Sequence, residues 1–127
     1  MECAVDEMQI FKTIGDEGFT NLVAAFYRRV PTDDILGKMY PPNEFVEAEW
    51  RLRQFLIQRF GGPTTYSDQR GHPRLRMRHG PFPVDFHARN RWMKLMTEAM
   101  AEVKLPDEVI AILKPYFETT ATGMMNR

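Results

Sequence analysis

Phe19, Leu22, Val23, Phe26, Tyr27 and Val30 recur at i, i+3, i+4, i+7, i+8 and i+11, and no other feature of the chain restricts its fold so tightly. The spacing follows the 3.6-residue turn of an α-helix and lays one unbroken apolar stripe along it. Such a helix must bury its stripe against a partner, and Tyr27 must point inward with the rest. Pro31 ends the helix, because the residue before a proline is pushed away from helical backbone. Ahead of it, Met8, Phe11 and Ile14 fall at helical spacing in a short lead-in over 6–14, and Gly15 suits a left-handed closing residue.

The same stripe and punctuation continue to the end. Thr32, Asp33 and Asp34 can cap a short turn through Ile35 and Leu36, and 37–43 reads as a corner that carries Tyr40. Asn43 is a good N-cap for a helix whose inward stripe runs Ala48, Leu52, Phe55, Leu56 and a snorkelling Arg59. Gly61-Gly62-Pro63 stops that helix, and a polar loop over 64–72 follows. Pro73 and Gly80 bracket a short helix with Leu75 and His79 on one face, although 74–79 also alternates like a strand. After the corner at 80–83, a long helix begins near Asp85 or Phe86 and buries Trp92, Leu95, Met96, Ala99, Met100 and Val103. Pro106 opens a last helix with Val109, Ile112, Leu113, Tyr116, Phe117 and Thr120 inward, which Pro115 should kink or split near Ala111. Asn126 and Arg127 should fray, as should residues 1–5. The expected architecture is all-α, a single domain over 1–127.

Length and charge narrow the function. At 127 residues and 43% apolar side chains, one core is affordable and two are not. No apolar run reaches the roughly 20 residues of a membrane span, and the acidic start MECAVDEM is unlike a secretion signal. A cytoplasmic protein without membrane partners is expected. Cys3 is the sole cysteine, so no internal disulfide forms. A formal net charge of zero argues against nucleic acid as a partner. The charge is unevenly spread, however: 66–96 holds seven Lys and Arg against two Asp and Glu, together with His72, His79 and His87. Nine Met and nine Phe suit the lining of a cavity for a flat apolar ligand, as they also suit ordinary helical packing.

Several chemistries fail on spacing. The histidines stand seven and eight residues apart with glycines and prolines between, and no cysteine lies near, which does not make a zinc site. Ser67 is the only serine and lies in no G-x-S-x-G; neither a P-loop nor G-x-G-x-x-G occurs. Two readings of His79 are left. Its imidazole satisfies a hydrogen bond in the core, or it ligates the iron of a haem, which asks for one imidazole, apolar walls, cations for the propionates and an open sixth position.

The residues that decide between them are FYRRV (26–30), KMYP (38–41), RLRQFL (51–56), FGGPTTYSDQRGHPRLRMRHGPF (60–82) and RWMKLM (91–96). Together they resemble the truncated haemoglobins of group II, over roughly 15–126, and the block from Gly-Gly-Pro to His-Gly-Pro-Phe is long and specific. The resemblance implies a truncated globin fold, two helices over two, around haem b (iron protoporphyrin IX). It makes His79 the proximal iron ligand, sets Tyr27, Tyr40 and Trp92 on the distal side, and puts Ala48 where many globins carry a distal histidine. Leu52, Phe55, Leu75, Met77, Phe82 and Val84 then contact the ring, and Arg78, Tyr66 and Arg76 hold the propionates, since arginine offers planar charge-assisted donors to carboxylates.

The implied activity is reversible binding of dioxygen, of the oxygen-carrier type, and of other diatomic ligands such as CO or NO. A gas that gathers negative charge on binding accepts hydrogen bonds from a phenol O–H or an indole N–H. The alternative within the same resemblance is nitric-oxide dioxygenase or peroxidase-like detoxification with an external electron-donating reductase, because no flavin or nicotinamide domain accompanies the chain. A third reading is a haem-free helical module whose basic band meets an acidic partner. Both monomer and homodimer are compatible with the sequence.

Overall fold

The computed structural model describes residues 6–41, 43–71 and 84–126. Among these residues every regular element is helical. They are α1 (Ile10–Arg29), α2 (Phe45–Arg59), α3 (Thr65–Arg70), α4 (Phe86–Glu102) and α5 (Asp107–Gly123), with single 3-10 turns at Glu7–Gln9 and Gly37–Met39. Helix α1 packs on both α2 and α4, α4 packs on α5, and α3 folds back on α2. The result is the two-over-two sandwich.

The stripe of α1 is its buried face: Phe19, Leu22, Val23, Phe26 and Val30 are fully enclosed and Tyr27 nearly so. Its counterparts are Leu56, Ile57 and Phe60 around the end of α2, Met96, Ala99 and Met100 of α4, and Val109, Leu113 and Phe117 of α5, all in one cluster. Sequence periodicity missed Ile57, which faces the same core one step from Leu56.

Gly15 breaks α1 where a closing residue was expected. Its backbone, at φ 69° and ψ −179°, lies outside the left-handed helical basin, in a region that glycine alone visits readily. A Cβ there would meet nothing within 4 Å, so the backbone angle and not crowding calls for glycine. Gly61 is under both demands. Its φ is 101°, and a Cβ would stand 2.2 Å from the Met8 carbonyl oxygen. This close approach lets the Phe11 amide donate to the Phe60 carbonyl at 3.0 Å, joining an orphan donor at the start of α1 to an orphan acceptor at the end of α2. We therefore expect Gly15→Ala to lower stability by about 1–3 kcal/mol from strain alone. Gly61→Ala should cost distinctly more, read as the shift in the urea midpoint at unchanged slope. Equal shifts would contradict the close approach.

Four expectations change in detail. Helix α2 starts at Phe45 with no side-chain cap, because Asn43 is used in a turn closed by the Glu44 amide donating to the Pro41 carbonyl at 3.0 Å. The stretch expected to be a loop contains α3, whose Ser67 amide donates to the Gln58 Oε1 at 2.9 Å while the Gln58 Nε2 donates to the Ser67 hydroxyl at 2.7 Å. Helix α5 runs through Pro115 unbroken. Both Pro115 and Ala111 face solvent, so water can take the carbonyl that the proline leaves unpaired. Asn126 is not frayed: the Val84 amide donates to its side-chain oxygen at 3.0 Å and its own amide donates to the Val84 carbonyl at 2.9 Å. Arg59 snorkels as expected, its guanidinium 5.0 Å from the Phe60 ring centre and 4.8 Å from that of Tyr116, with Glu7 accepting at 2.7 Å. The short helix expected between Pro73 and Gly80 lies outside the described residues.

Candidate functional site

Helices α2, α4 and α5 and the corner after α1 enclose a cavity of about 280 Å3. That is near the lower end of the roughly 300–1,000 Å3 usual for ligand pockets. Its walls are mainly apolar. Helix α2 presents Ala48, Leu52, Phe55 and Leu56 along one face, at the i, i+4, i+7, i+8 spacing read from the sequence. Helix α4 contributes Ala88 and Trp92, and α5 contributes Phe117 and Ala121. Val84 enters from the residue pinned by Asn126.

Polar side chains are interspersed with the apolar ones, among them Tyr27, Tyr40, Glu44, Arg51, Arg89 and Trp92. The Tyr27 and Tyr40 hydroxyls face each other at 3.5 Å, a weak contact well beyond the roughly 2.5–3.0 Å of an ordinary O–H···O bond. At that separation the Tyr40 proton is available to another acceptor. Burial pushes the Tyr27 phenol well above its ordinary range, and the neighbouring Tyr40 adds to the rise. Burial likewise raises Tyr40, against the opposing pull of its bond from Tyr27 and of Arg51. A raised phenol stays neutral to higher pH, so both remain O–H donors throughout the neutral range. The indole N–H of Trp92 has no hydrogen-bond partner among the described residues; its ring packs between Phe26, at 5.2 Å, and Phe117, at 5.4 Å. For the gas site that the resemblance implies, a donor set that does not titrate predicts a dissociation rate that is level between about pH 6 and 9. Stopped-flow release measured across that window tests it, and an inflection inside the window would contradict it.

The residues singled out in the sequence divide into two groups. Tyr27, Tyr40, Ala48, Trp92, Leu52, Phe55, Val84 and Tyr66 all line this one cavity. Tyr66 is buried, with its ring edge-on to Phe55 at 5.9 Å, and not at an open rim. His79, Leu75, Met77, Phe82, Arg76 and Arg78 lie outside the described residues. Sequence reasoning missed Arg51 and Arg89, which also line the cavity. Arg89 is engaged by α5, through the Thr122 hydroxyl at 3.1 Å and the Glu118 carbonyl at 3.3 Å. Among the described residues Arg51 pairs with Glu47, at 3.6 Å with that carboxylate largely exposed, and its guanidinium also has donors to offer a second anion. The signal was available: Arg51 lies one helical turn after Ala48 and one before Phe55, on the face that carries the pocket.

These residues fit a haem. Apolar walls from three helices suit a flat macrocycle, Arg51 suits a carboxylate on its edge, and two neutral phenols and an indole N–H suit a small polar ligand beside it. The fold agrees with comparisons along nearly the whole chain. A profile described as Bacterial-like globin matches residues 9–126. "Group 2 truncated hemoglobin YjbI" of Bacillus subtilis (strain 168) is 37% identical over 117 residues, covering 92% of this chain and 88% of that protein. "Two-on-two hemoglobin-3" of Arabidopsis thaliana is 34% identical over 121 residues, 93% of this chain and 69% of that one. The crystal structure of the truncated oxygen-avid haemoglobin from Bacillus subtilis superposes with a TM-score of 0.88 at 37% identity, over 92% of this chain and 98% of that one. A sandwich that closes on such a cavity, in a sequence related to these proteins from end to end, belongs to the bacterial-like globin family, among the group II truncated haemoglobins.

Proposed function

We propose that the chain is a haem-binding globin that takes up dioxygen, and other diatomic gases such as CO and NO, reversibly. The observation that carries this reading is the gathering of Tyr27, Tyr40 and Trp92, three hydrogen-bond donors, around one mainly apolar cavity. The family implies haem as the group, and haem supplies an iron centre at which a diatomic gas binds. In this reading His79 holds the iron, Leu52, Phe55 and Val84 flank the ring together with Leu75, Met77 and Phe82, and Arg51 joins Arg76, Arg78 and Tyr66 as a partner for the propionates. Haem b is the form expected, since the single cysteine cannot supply the paired thioether links of a c-type site.

The chain's own work is to exclude water and to aim protons. Tyr40 and Trp92 offer hydrogens to the bound gas, and Tyr27 holds Tyr40 from behind. Ala48 offers none, which leaves room beside the gas and assigns its retention to the aromatic donors. An external electron-donating reductase is the partner this reading calls for, to keep the iron in the form that binds dioxygen. The nitric-oxide-oxidising and peroxidatic alternatives share the pocket and are not better supported.

Exposure of reduced, haem-loaded protein to air, followed by removal of oxygen, tests the reading. The absorption spectrum should change and return at one haem per chain. Conversion to the oxidised form at the first exposure, with no return, would overturn it.

A further inference from the structure

Tyr40 stands in a corner with no long helix of its own, yet the reading above asks its hydroxyl to hold one position. What fixes that corner is Asp33. Its amide donates to the Val30 carbonyl at 3.0 Å, and its carbonyl accepts from the Gly37 amide at 3.1 Å. Its Oδ2 accepts from the Ile35 amide at 3.0 Å and the Leu36 amide at 2.8 Å, while its Oδ1 accepts from Arg91 Nη1 at 2.6 Å. Every polar group of the residue is therefore committed. The carboxylate is shielded, with 7% of its side chain exposed. From there the Met39 amide donates to the Leu36 carbonyl at 3.0 Å, and Leu36, Met39, Tyr40 and Pro41 all line the cavity. At the other end of the ion pair, Arg91 directly precedes Trp92 on α4. The bridge joins positions 58 apart in sequence and ties two walls of the same pocket together.

We propose that Asp33 and Arg91 are positioning residues for the gas site: their ion pair fixes the corner over 33–40 to α4 and so sets where the Tyr40 hydroxyl stands. The inference rests on the gas-binding reading. Asp34 provides an internal control, because it accepts from the same Arg91 nitrogen at 2.6 Å with 78% of its side chain exposed, and it does not bind the Ile35 and Leu36 amides that Asp33 holds. An exposed pair is screened and holds little, whereas a shielded carboxylate that also binds two amides holds the backbone. Asn at position 33 has a single acceptor oxygen and must give up either Arg91 or the two amides.

The test combines two readouts on Asp33→Asn, Asp34→Asn, Arg91→Leu and Arg91→Lys. Amide hydrogen exchange on the apo-protein should quicken about tenfold or more at Ile35 to Tyr40 in Asp33→Asn and Arg91→Leu. It should stay near wild type in Asp34→Asn and be partly restored in Arg91→Lys. In the haem-loaded protein with carbon monoxide, the C–O stretching band should move in Asp33→Asn in the direction that Tyr40→Phe moves it. Adding Asp33→Asn to Tyr40→Phe should then move it no further. Equal effects of Asp33→Asn and Asp34→Asn on exchange, or a band unmoved by Asp33→Asn while Tyr40→Phe shifts it, would overturn the proposal. A wild type that binds no carbon monoxide would sink the gas-binding reading instead, with exchange still deciding whether the corner is held by this pair.

Discussion

Replacement of His79 by glycine is expected to abolish stable haem retention. Loss of a partner outside the first coordination shell already costs roughly 10–100-fold in metal affinity, and loss of the ligand itself should exceed that. The protein should purify without a Soret band while its helical content is retained, because the described residues of α1, α2, α4 and α5 already pack into one continuous core. Free imidazole added together with haem should restore a five-coordinate spectrum, since it refills the missing ligand position. A variant that keeps wild-type haem content, with no response to imidazole, would place the iron on another residue.

The second large effect concerns retention of dioxygen. Tyr40→Phe removes one donor with little change in volume, and Trp92→Phe removes one donor together with the second ring of the indole. A hydrogen bond to a charged group contributes about 1.5–3 kcal/mol, so each variant should release dioxygen roughly 10–100-fold faster at about 1.4 kcal/mol per decade. Tyr27→Phe should act more weakly, on the reading in which the Tyr27 hydroxyl is turned to that of Tyr40, 3.5 Å away, and not to the gas. Stopped-flow dissociation on the three variants gives the order. A Tyr27 variant faster than the Tyr40 variant would reverse the assignment of the two hydroxyls.

What the sequence revealed and what it hid follow from the range of the interactions. The stripes of α1, α4 and α5 were legible because each face is set by spacing within one helix, and Ala48, Leu52, Phe55 and Leu56 fell on the pocket face for the same reason. Helix α3 was illegible: Thr65–Arg70 buries only Tyr66, and its shape depends on Gln58 from the preceding helix. The anchoring of Asn126 depends on Val84, 42 residues away, and the bond between Arg91 and Asp33 spans 58. No local pattern announces either. Arg51 was passed over although its spacing from Ala48 and Phe55 placed it on the pocket face, because a charged side chain there reads in sequence as a solvated one. Pro115 was expected to break α5, and its exposed position explains why the helix continues. The part of the candidate site that holds Tyr27, Tyr40, Ala48 and Trp92 is in view, all four lining one cavity, whereas the histidine assigned to the iron lies outside the described residues.

The account's central claim is that the cavity between α2, α4 and α5 holds one haem, and titration of the apo-protein with haem tests it most directly. The predicted result is a Soret band that grows linearly and stops at one haem per chain, accompanied by quenching of Trp92 fluorescence in a Trp50→Phe background that leaves Trp92 as the only indole. Absorbance that rises without saturation, or binding that leaves Trp92 emission unchanged, would contradict it.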